Sequence, residues 1–291
     1  MVQPLVVELG GSEESLDIAT LEGTLGNIVS SSAASLGVRF PAPQCVAVSR
    51  SGAPAWRILI FDVPVATAPA RATLDPTVLE RELELALSRN AEQFIGVQEV
   101  SNLLDAAAEQ YPALVKEVLR QVPTQKIAEV LRSLVRESIS LRNLRDVLEA
   151  LAEWGGREKD SGALAEFVRI HLKRYMTNRY ADANRRIDTL VIDGAAEDLV
   201  RRGLTDTPAG PMLTLPQQRV ATLRASLRAE LDRLGIKNAP VILITAADVR
   251  RHIRKILEPV HGSLSVISYQ ELLSDVEIRP LGTVRFGAEN A

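Results

Sequence analysis

The sequence predicts a multidomain α and β protein: an N-terminal α/β subdomain, a central helical subdomain and a C-terminal α/β subdomain. Three observations predict it. Between residues 90 and 182 apolar residues recur at helical spacing, and Pro or Gly cuts off most of the segments. On both flanks stand short β-branched runs such as 56–63 and 241–245. In the second flank those runs alternate with helical periods, as in an α/β domain with some parallel pairing. The expected boundaries are 1–93, 94–182 and 183–291.

The first subdomain opens with an apolar run at 4–9 that ends at Gly10-Gly11, a buried strand followed by a turn. Neither G-x-x-x-x-G-K-[ST] nor G-x-G-x-x-G is present, so those glycines are no phosphate loop. A helix is expected over 16–36 from Leu21, Leu25, Ile28 and Val29, although Gly23 and Gly26 weaken it. A turn at 37–43 leads to strands at 45–48 and 56–63. Residues 66–73 form a connector without periodicity. Asp75 caps the next helix, with Pro76 at its first position and Leu79, Leu83, Ala86, Leu87 and Phe94 on one face.

Helices follow over 97–110, 112–122 and 124–137, restarted by Pro112 and Pro123, with Leu131, Leu134 and Val135 as a buried stripe. Ser140 caps a helix carrying Leu141, Leu144, Val147, Leu148 and Leu151, ended by Gly155-Gly156. One long helix is expected over 160–180. Beyond it come a strand at 187–193, a short helix through Val200, a turn at 208–211 and a strand at 212–215. An amphipathic helix over 216–234 precedes the near-continuous apolar strand 241–245, a pattern of burial on both faces. A basic helix at 248–257, a strand at 264–268 and an edge strand at 276–286 complete the chain.

Chemistry is sparse. The formal net charge of −3 offers no electrostatic case for nucleic acid or an anionic membrane. Cys45 is the single cysteine, so no internal disulfide can form; it reads as a small buried hydrophobe in a reducing compartment. Apolar runs of a few residues fall far short of the ~20 that span a bilayer, and no signal-peptide pattern is present, so a soluble chain is expected. His171, His252 and His261 lack metal-ligand spacing, no G-x-S-x-G elbow occurs, and Glu158 and Asp160 with Lys159 between them read as a solvated loop. No enzyme, cofactor or metal is expected. The strongest local charge feature is Arg250-Arg-His-Ile-Arg-Lys255. It reads either as a solvated face or as a docking patch (Arg250, Arg251, Arg254, Lys255) for acidic partners of a monomeric adaptor.

Several stretches, in order, resemble the cytoplasmic domain of the type III secretion export-gate family, nearer its injectisome branch than its flagellar one. They are Gly37-Val-Arg-Phe-Pro41, Arg57-Ile-Leu-Ile-Phe-Asp-Val-Pro64, Phe94-Ile-Gly-Val-Gln-Glu-Val100, Leu103-Leu-Asp105 and Tyr111-Pro-Ala-Leu-Val-Lys-Glu117. Further on come Leu141-Arg-Asn-Leu-Arg-Asp-Val-Leu-Glu-Ala-Leu-Ala-Glu-Trp154, Asp248-Val-Arg-Arg-His252, Val266-Ile-Ser-Tyr-Gln-Glu-Leu272 and Ile278-Arg-Pro280.

The resemblance implies a nonameric ring at the cytoplasmic face of the bacterial inner membrane, built largely through the helical subdomain. Its implied partners are copies of itself, the export ATPase stalk, secretion chaperones and substrates, and switch or gatekeeper proteins, with no nucleic acid. Within the helical block it directs attention to Gln98, Glu99, Arg132, Arg136, Arg142, Arg145 and Arg169 as polar contributors to the subunit interface. The family's membrane-spanning half is absent, so Met1 is expected to begin an excised piece or a stand-alone domain. The family's small inserted subdomain is expected to be missing around 66–73, which puts chaperone docking in question more than ring formation.

Overall fold

The computed structural model describes residues 2–10, 17–49, 52–69, 72–207, 210–237 and 239–285. Part of the turn at Gly10-Gly11 and of that at 208–211 therefore lies outside the described residues. The chain forms two compact units, Met1–Leu148 and Glu149–Ala291, and the multidomain mixture of helices and sheets is as expected.

In the first unit β1 (Leu5–Gly10) turns Leu5, Val7 and Leu9 inward by simple alternation. Helix α1 (Ile18–Leu36) begins where the Asp17 carboxylate accepts from the Thr20 amide, and it covers the sheet with Leu25, Val29 and Leu36. It is also the crossover that parallel strands require, carrying the chain to β2 (Gln44–Val48), which runs parallel to β1. β3 (Trp56–Ile60) pairs antiparallel with β1 on the other side, and β4 (Val63–Thr67) completes the order β2-β1-β3-β4. The single strand expected over 56–63 is thus the first arm of a hairpin. Its two turn residues, Phe61 (φ 50°) and Asp62 (φ 64°), are both left-handed. That geometry usually advertises itself as Asn-Gly, and Phe-Asp hides it.

α2 (Pro76–Asn90) is capped as expected, with Asp75 Oδ1 accepting from the Thr77 amide at 3.0 Å. A 3₁₀ turn at 91–94 leads to α3 (Val97–Gln110), α4 (Pro112–Gln121) and α5 (Thr124–Arg136). α5 is the core element of this stack: Ile127, Val130, Leu131, Leu134 and Val135 are all at most 1% exposed. Its end is closed by Ser138 at φ 55°, with the Ile139 amide returning to the Leu134 carbonyl at 2.9 Å. Ser140 caps the 3₁₀ turn at 141–143, and its hydroxyl donates to the Ser35 carbonyl at 2.7 Å, tying that turn to the end of α1. α6 (Leu144–Trp154) follows.

In the second unit the helix expected over 160–180 is two helices, α7 (Ser161–His171) and α8 (Lys173–Tyr180), broken where Leu172 adopts ψ 14°. Four strands form a wholly parallel sheet: β5 (Arg186–Ile192), β8 (Val241–Thr245), β9 (Leu264–Ser268) and β10 (Glu277–Val284), in the order β10-β5-β8-β9. Helices α9 (Gly194–Arg202), α10 (Gln217–Arg233) and α11 (Ala247–Leu257) accompany them. Leu190, Val200, Leu227, Leu243, Ile253 and Val266 meet in one core. A small hairpin, β6 (Leu204–Thr207) with β7 (Gly210–Leu213), stands between α9 and α10; its first arm has too few apolar residues to register as a strand in the sequence.

Candidate interaction surfaces

Two sets of residues were expected to meet partners, and the structure treats them differently. In the first unit Gln98, Glu99, Arg136, Arg142 and Arg145 are exposed. Glu99 is the third residue of α3, and its carboxylate accepts from the Gly96 amide at 2.9 Å, closing that helix's first turn. Gln98 donates to Asn102 Oδ1 one turn along. Arg132 is half-buried, its Nε bonded to the Ile95 carbonyl at 2.6 Å, and Arg136 Nε donates to Glu92 at 2.6 Å. These four residues therefore gather around the bend at 92–97, where Val97 lies 44% exposed. A small cavity of about 30 Å³ beside the bend is lined by Val38, Phe94, Ile95, Glu99, Leu103 and Leu141, among others. Arg145 lies over the Tyr111 ring, 5.5 Å from its centroid, which holds its charge at the surface in a fixed place.

Arg169 belongs to a different environment, and here the expectation is corrected. It is 2% exposed, and its Nη2 donates to Glu271 Oε2 at 2.6 Å and to the Val266 carbonyl at 3.3 Å. It braces α7 against β9 and cannot offer a surface to a neighbour. The basic run of α11 is corrected in the same way. Arg250 is 1% exposed, its Nε and Nη2 reaching the two carboxylate oxygens of Glu166 at 2.5 and 2.6 Å, its Nη1 reaching the Val266 carbonyl at 2.8 Å. Such a fork-on-fork pair is what makes a buried guanidinium tolerable.

Arg251 Nη1 donates to Asp160 Oδ2 at 2.5 Å, packed against Gly162, where a Cβ in place of hydrogen would lie 2.0 Å from Arg251 Nη1 and make the guanidinium shift. Burial pushes the Asp160 carboxyl up, but Arg251 and the Ala163 amide outweigh it and hold the group below its ordinary range. Arg254 pairs with Glu258 at 3.3 Å, and Lys255 is the exposed cation of the run. Of the expected docking patch, Arg250 is an internal brace, Arg251 and Arg254 are half-buried and paired with acids, and Lys255 is exposed.

The partners in that brace, Glu166 and Glu271, escaped the sequence reading. Glu271 had a signal: it is the lone acid of the stretch Val266–Leu272, where its Oε1 accepts from both the amide and the hydroxyl of Ser268. His252 is buried, and burial first, then Arg251, pulls its pKa below the ordinary value. Burial, helped by Glu22, pushes the Cys45 thiol up to about 11, so it stays protonated and unreactive at neutral pH. Among the described residues no cluster of His, Cys, Asp or Glu could hold a metal ion, and no helix is long and apolar enough to cross a membrane.

Comparison with known proteins agrees with this architecture. The FHIPEP family model matches residues 51–277. The low calcium response locus protein D of Yersinia pestis is 40% identical over 207 residues, 71% of this chain and 29% of that protein. The chain thus spans about three-tenths of the length of this curated relative. The structure of the Chlamydia pneumoniae CdsV and CdsO protein complex superposes with a TM-score of 0.86 at 27% identity, covering 98% of both chains. The nonameric EscV cytosolic domain from the type III secretion system shares the fold, with a TM-score of 0.81 at 24% identity and 97% of each chain covered. The chain belongs to the FHIPEP family, the export-gate components of type III secretion, which are secretion parts and not enzymes, and it falls with the injectisome members.

Proposed function

We propose that this chain is the ring-forming cytoplasmic part of an injectisome export gate. The observation that carries the reading is family membership over most of the chain, together with a fold match to the CdsV and CdsO complex structure that covers 98% of both chains. In this reading copies of the chain close into a ring, a nonamer as in EscV, on the cytoplasmic side of the inner membrane. The ring receives export substrates and their chaperones, responds to switch proteins and meets the stalk of the export ATPase.

The functional division runs 1–93, 94–182 and 183–291, and the helical second part supplies most of the subunit contact. Val97 gives that contact an apolar point, and Gln98, Glu99, Arg136, Arg142 and Arg145 form the polar rim around it, with Arg132 supporting the bend. Rim charges of this kind set register and partner choice more than affinity. With the inserted subdomain missing near 66–73, chaperone docking depends on other surfaces. The alternative, a monomeric adaptor acting through the basic run of α11, loses its support because Arg250 is buried and Arg251 and Arg254 are paired.

Particle mass by light scattering across a wide concentration range tests the reading. Mass should rise toward a closed oligomer, and the double reversal Arg142→Glu with Arg145→Glu should lower it at equal concentration. Monomer mass throughout, persisting when the chain is tethered to a membrane anchor, refutes the ring.

A further inference from the structure

The two four-stranded sheets end in four edge strands, and three of those edges are closed. β4 carries Pro64, and its pairing with β3 shifts register between Ile58 and Leu59. β10 carries Pro280, and its pairing with β5 shifts register between Pro280 and Gly282. At β9 the Val266 carbonyl is taken by Arg169 and Arg250, and the Ser268 amide by Glu271. Proline, bulges and capping side chains are means by which native sheets stop a further strand from adding.

β2 has none of the first two devices and little of the third. Gln44-Cys-Val-Ala-Val48 contains no proline and no charge, and its pairing with β1 runs without a shift. The Cys45 amide donates to Glu22 Oε1 at 2.9 Å and not to β1, so residue 45 turns its backbone groups outward. Those groups alternate in direction along a strand, so Ala47 faces outward too. The edge therefore offers the Cys45 carbonyl together with the amide and carbonyl of Ala47. Val46, 38% exposed on the face away from Cys45, adds an apolar contact beside them.

Two features say what fits. An open edge binds an extended segment through main-chain hydrogen bonds, and neighbouring side chains select its sequence. Here the selecting side chain is Glu22 of α1, half-buried at the edge with Oε1 on the Cys45 amide. No cation among the described residues pairs with that carboxylate. A guanidinium or ammonium on the added strand supplies the missing countercharge, whereas an acidic side chain there would be repelled.

We infer that the β2 edge receives an extended basic segment of a partner protein, which adds as a further strand and sets an arginine or lysine against Glu22. None of these residues belongs to the proposed subunit contact, so the inference stands or falls independently of ring formation.

The test is fluorescence anisotropy on the full chain with a labelled extended peptide of alternating Thr and Val bearing one central Arg, beside a twin with Gln in its place. The Arg peptide should bind saturably, and the Gln twin about tenfold more weakly. Glu22→Gln, which keeps an oxygen for the Cys45 amide, should weaken the Arg peptide about tenfold and leave the twin unchanged. Hydrogen exchange should show the Ala47 amide becoming protected when the Arg peptide binds. Ala47→Pro removes that outward donor at a position where an edge strand tolerates the ring, and it should abolish binding while circular dichroism is unchanged. Absence of saturable binding at low salt, binding without protection of the Ala47 amide, or equal binding of the Arg peptide by wild type and Glu22→Gln overturns the inference. A fall in the particle mass of the peptide-free chain on Ala47→Pro would give the edge to a second copy, and overturns it as well.

Discussion

Removing the Glu271 carboxylate is the sharpest probe of how the second unit holds together. Arg169, Arg250, Glu166 and Glu271 form a cluster of two cations and two anions, balanced in charge, with Glu271 0% exposed and the two arginines 2% and 1%. Glu271→Ala leaves Arg250 with Glu166 but takes from Arg169 its carboxylate partner, and it also strips Ser268 of its acceptor. Breaking a buried pair from one side costs about 4 kcal/mol. In a protein of this size about 3 °C is lost per kcal/mol, so the melting temperature should fall by about 12 °C. Chemical denaturation followed by circular dichroism gives the free energy directly. Glu271→Gln should be nearly as damaging, because the amide keeps the shape and discards the charge. The double variant Arg169→Met with Glu271→Leu should recover part of that loss, since apolar replacement of a whole buried pair is often neutral, and the remaining deficit should be that of the buried Ser268 amide and hydroxyl, which lose their acceptor. A loss under about 1 kcal/mol for Glu271→Ala, or a double variant no better than the single one, would refute the claim that charge balance is what the cluster supplies.

Other outcomes follow from single contacts. Gly37→Ala should cost about 2 kcal/mol or more in denaturant unfolding, because residue 37 sits at φ 69° and an added Cβ would stand 2.8 Å from the Arg142 amide nitrogen. Asp62→Gly should instead stabilise the chain by about 0.5–1 kcal/mol, by relieving a left-handed turn position with φ 64°. His252 gives a pH dependence. Its folded pKa is depressed by burial below the ordinary 6.5, so under acid the unfolded chain binds the proton first. Stability should be complete above about pH 6.5 and decline as pH falls below it, through one group's worth of protons. Denaturant midpoints at pH 7.5 and 5.5 should show that slope, and His252→Gln should flatten it.

The elements that were legible in the sequence are those whose cause is local. Asp75 before Pro76, Ser140 before Leu141 and the apolar run at Val241–Thr245 each carry their explanation within a few residues. The hairpin at Phe61-Asp62 and the break at Leu172 were hidden because neither uses the residue types that usually mark such geometry. The buried arginines were hidden for another reason: their carboxylates lie 84 and 102 residues away, a distance that no periodicity reports. Yet half of the signal was present. On α11 the buried positions are 249, 250, 252, 253, 256 and 257, so Arg250 stands on the apolar stripe with Ile253 and Leu257 and not on the solvent face with Lys255. A cation at a stripe position must either leave the stripe or bring an anion with it, because an uncompensated buried charge costs more than a helix of this length can recover. Counting basic residues located the run, whereas counting them by helical phase separates the bracing Arg250 from the exposed Lys255. The same phase rule, applied to α10, sets Arg224 beside the buried leucines, where its Nε is held by the Ile256 carbonyl at 2.8 Å, and leaves Arg228 exposed.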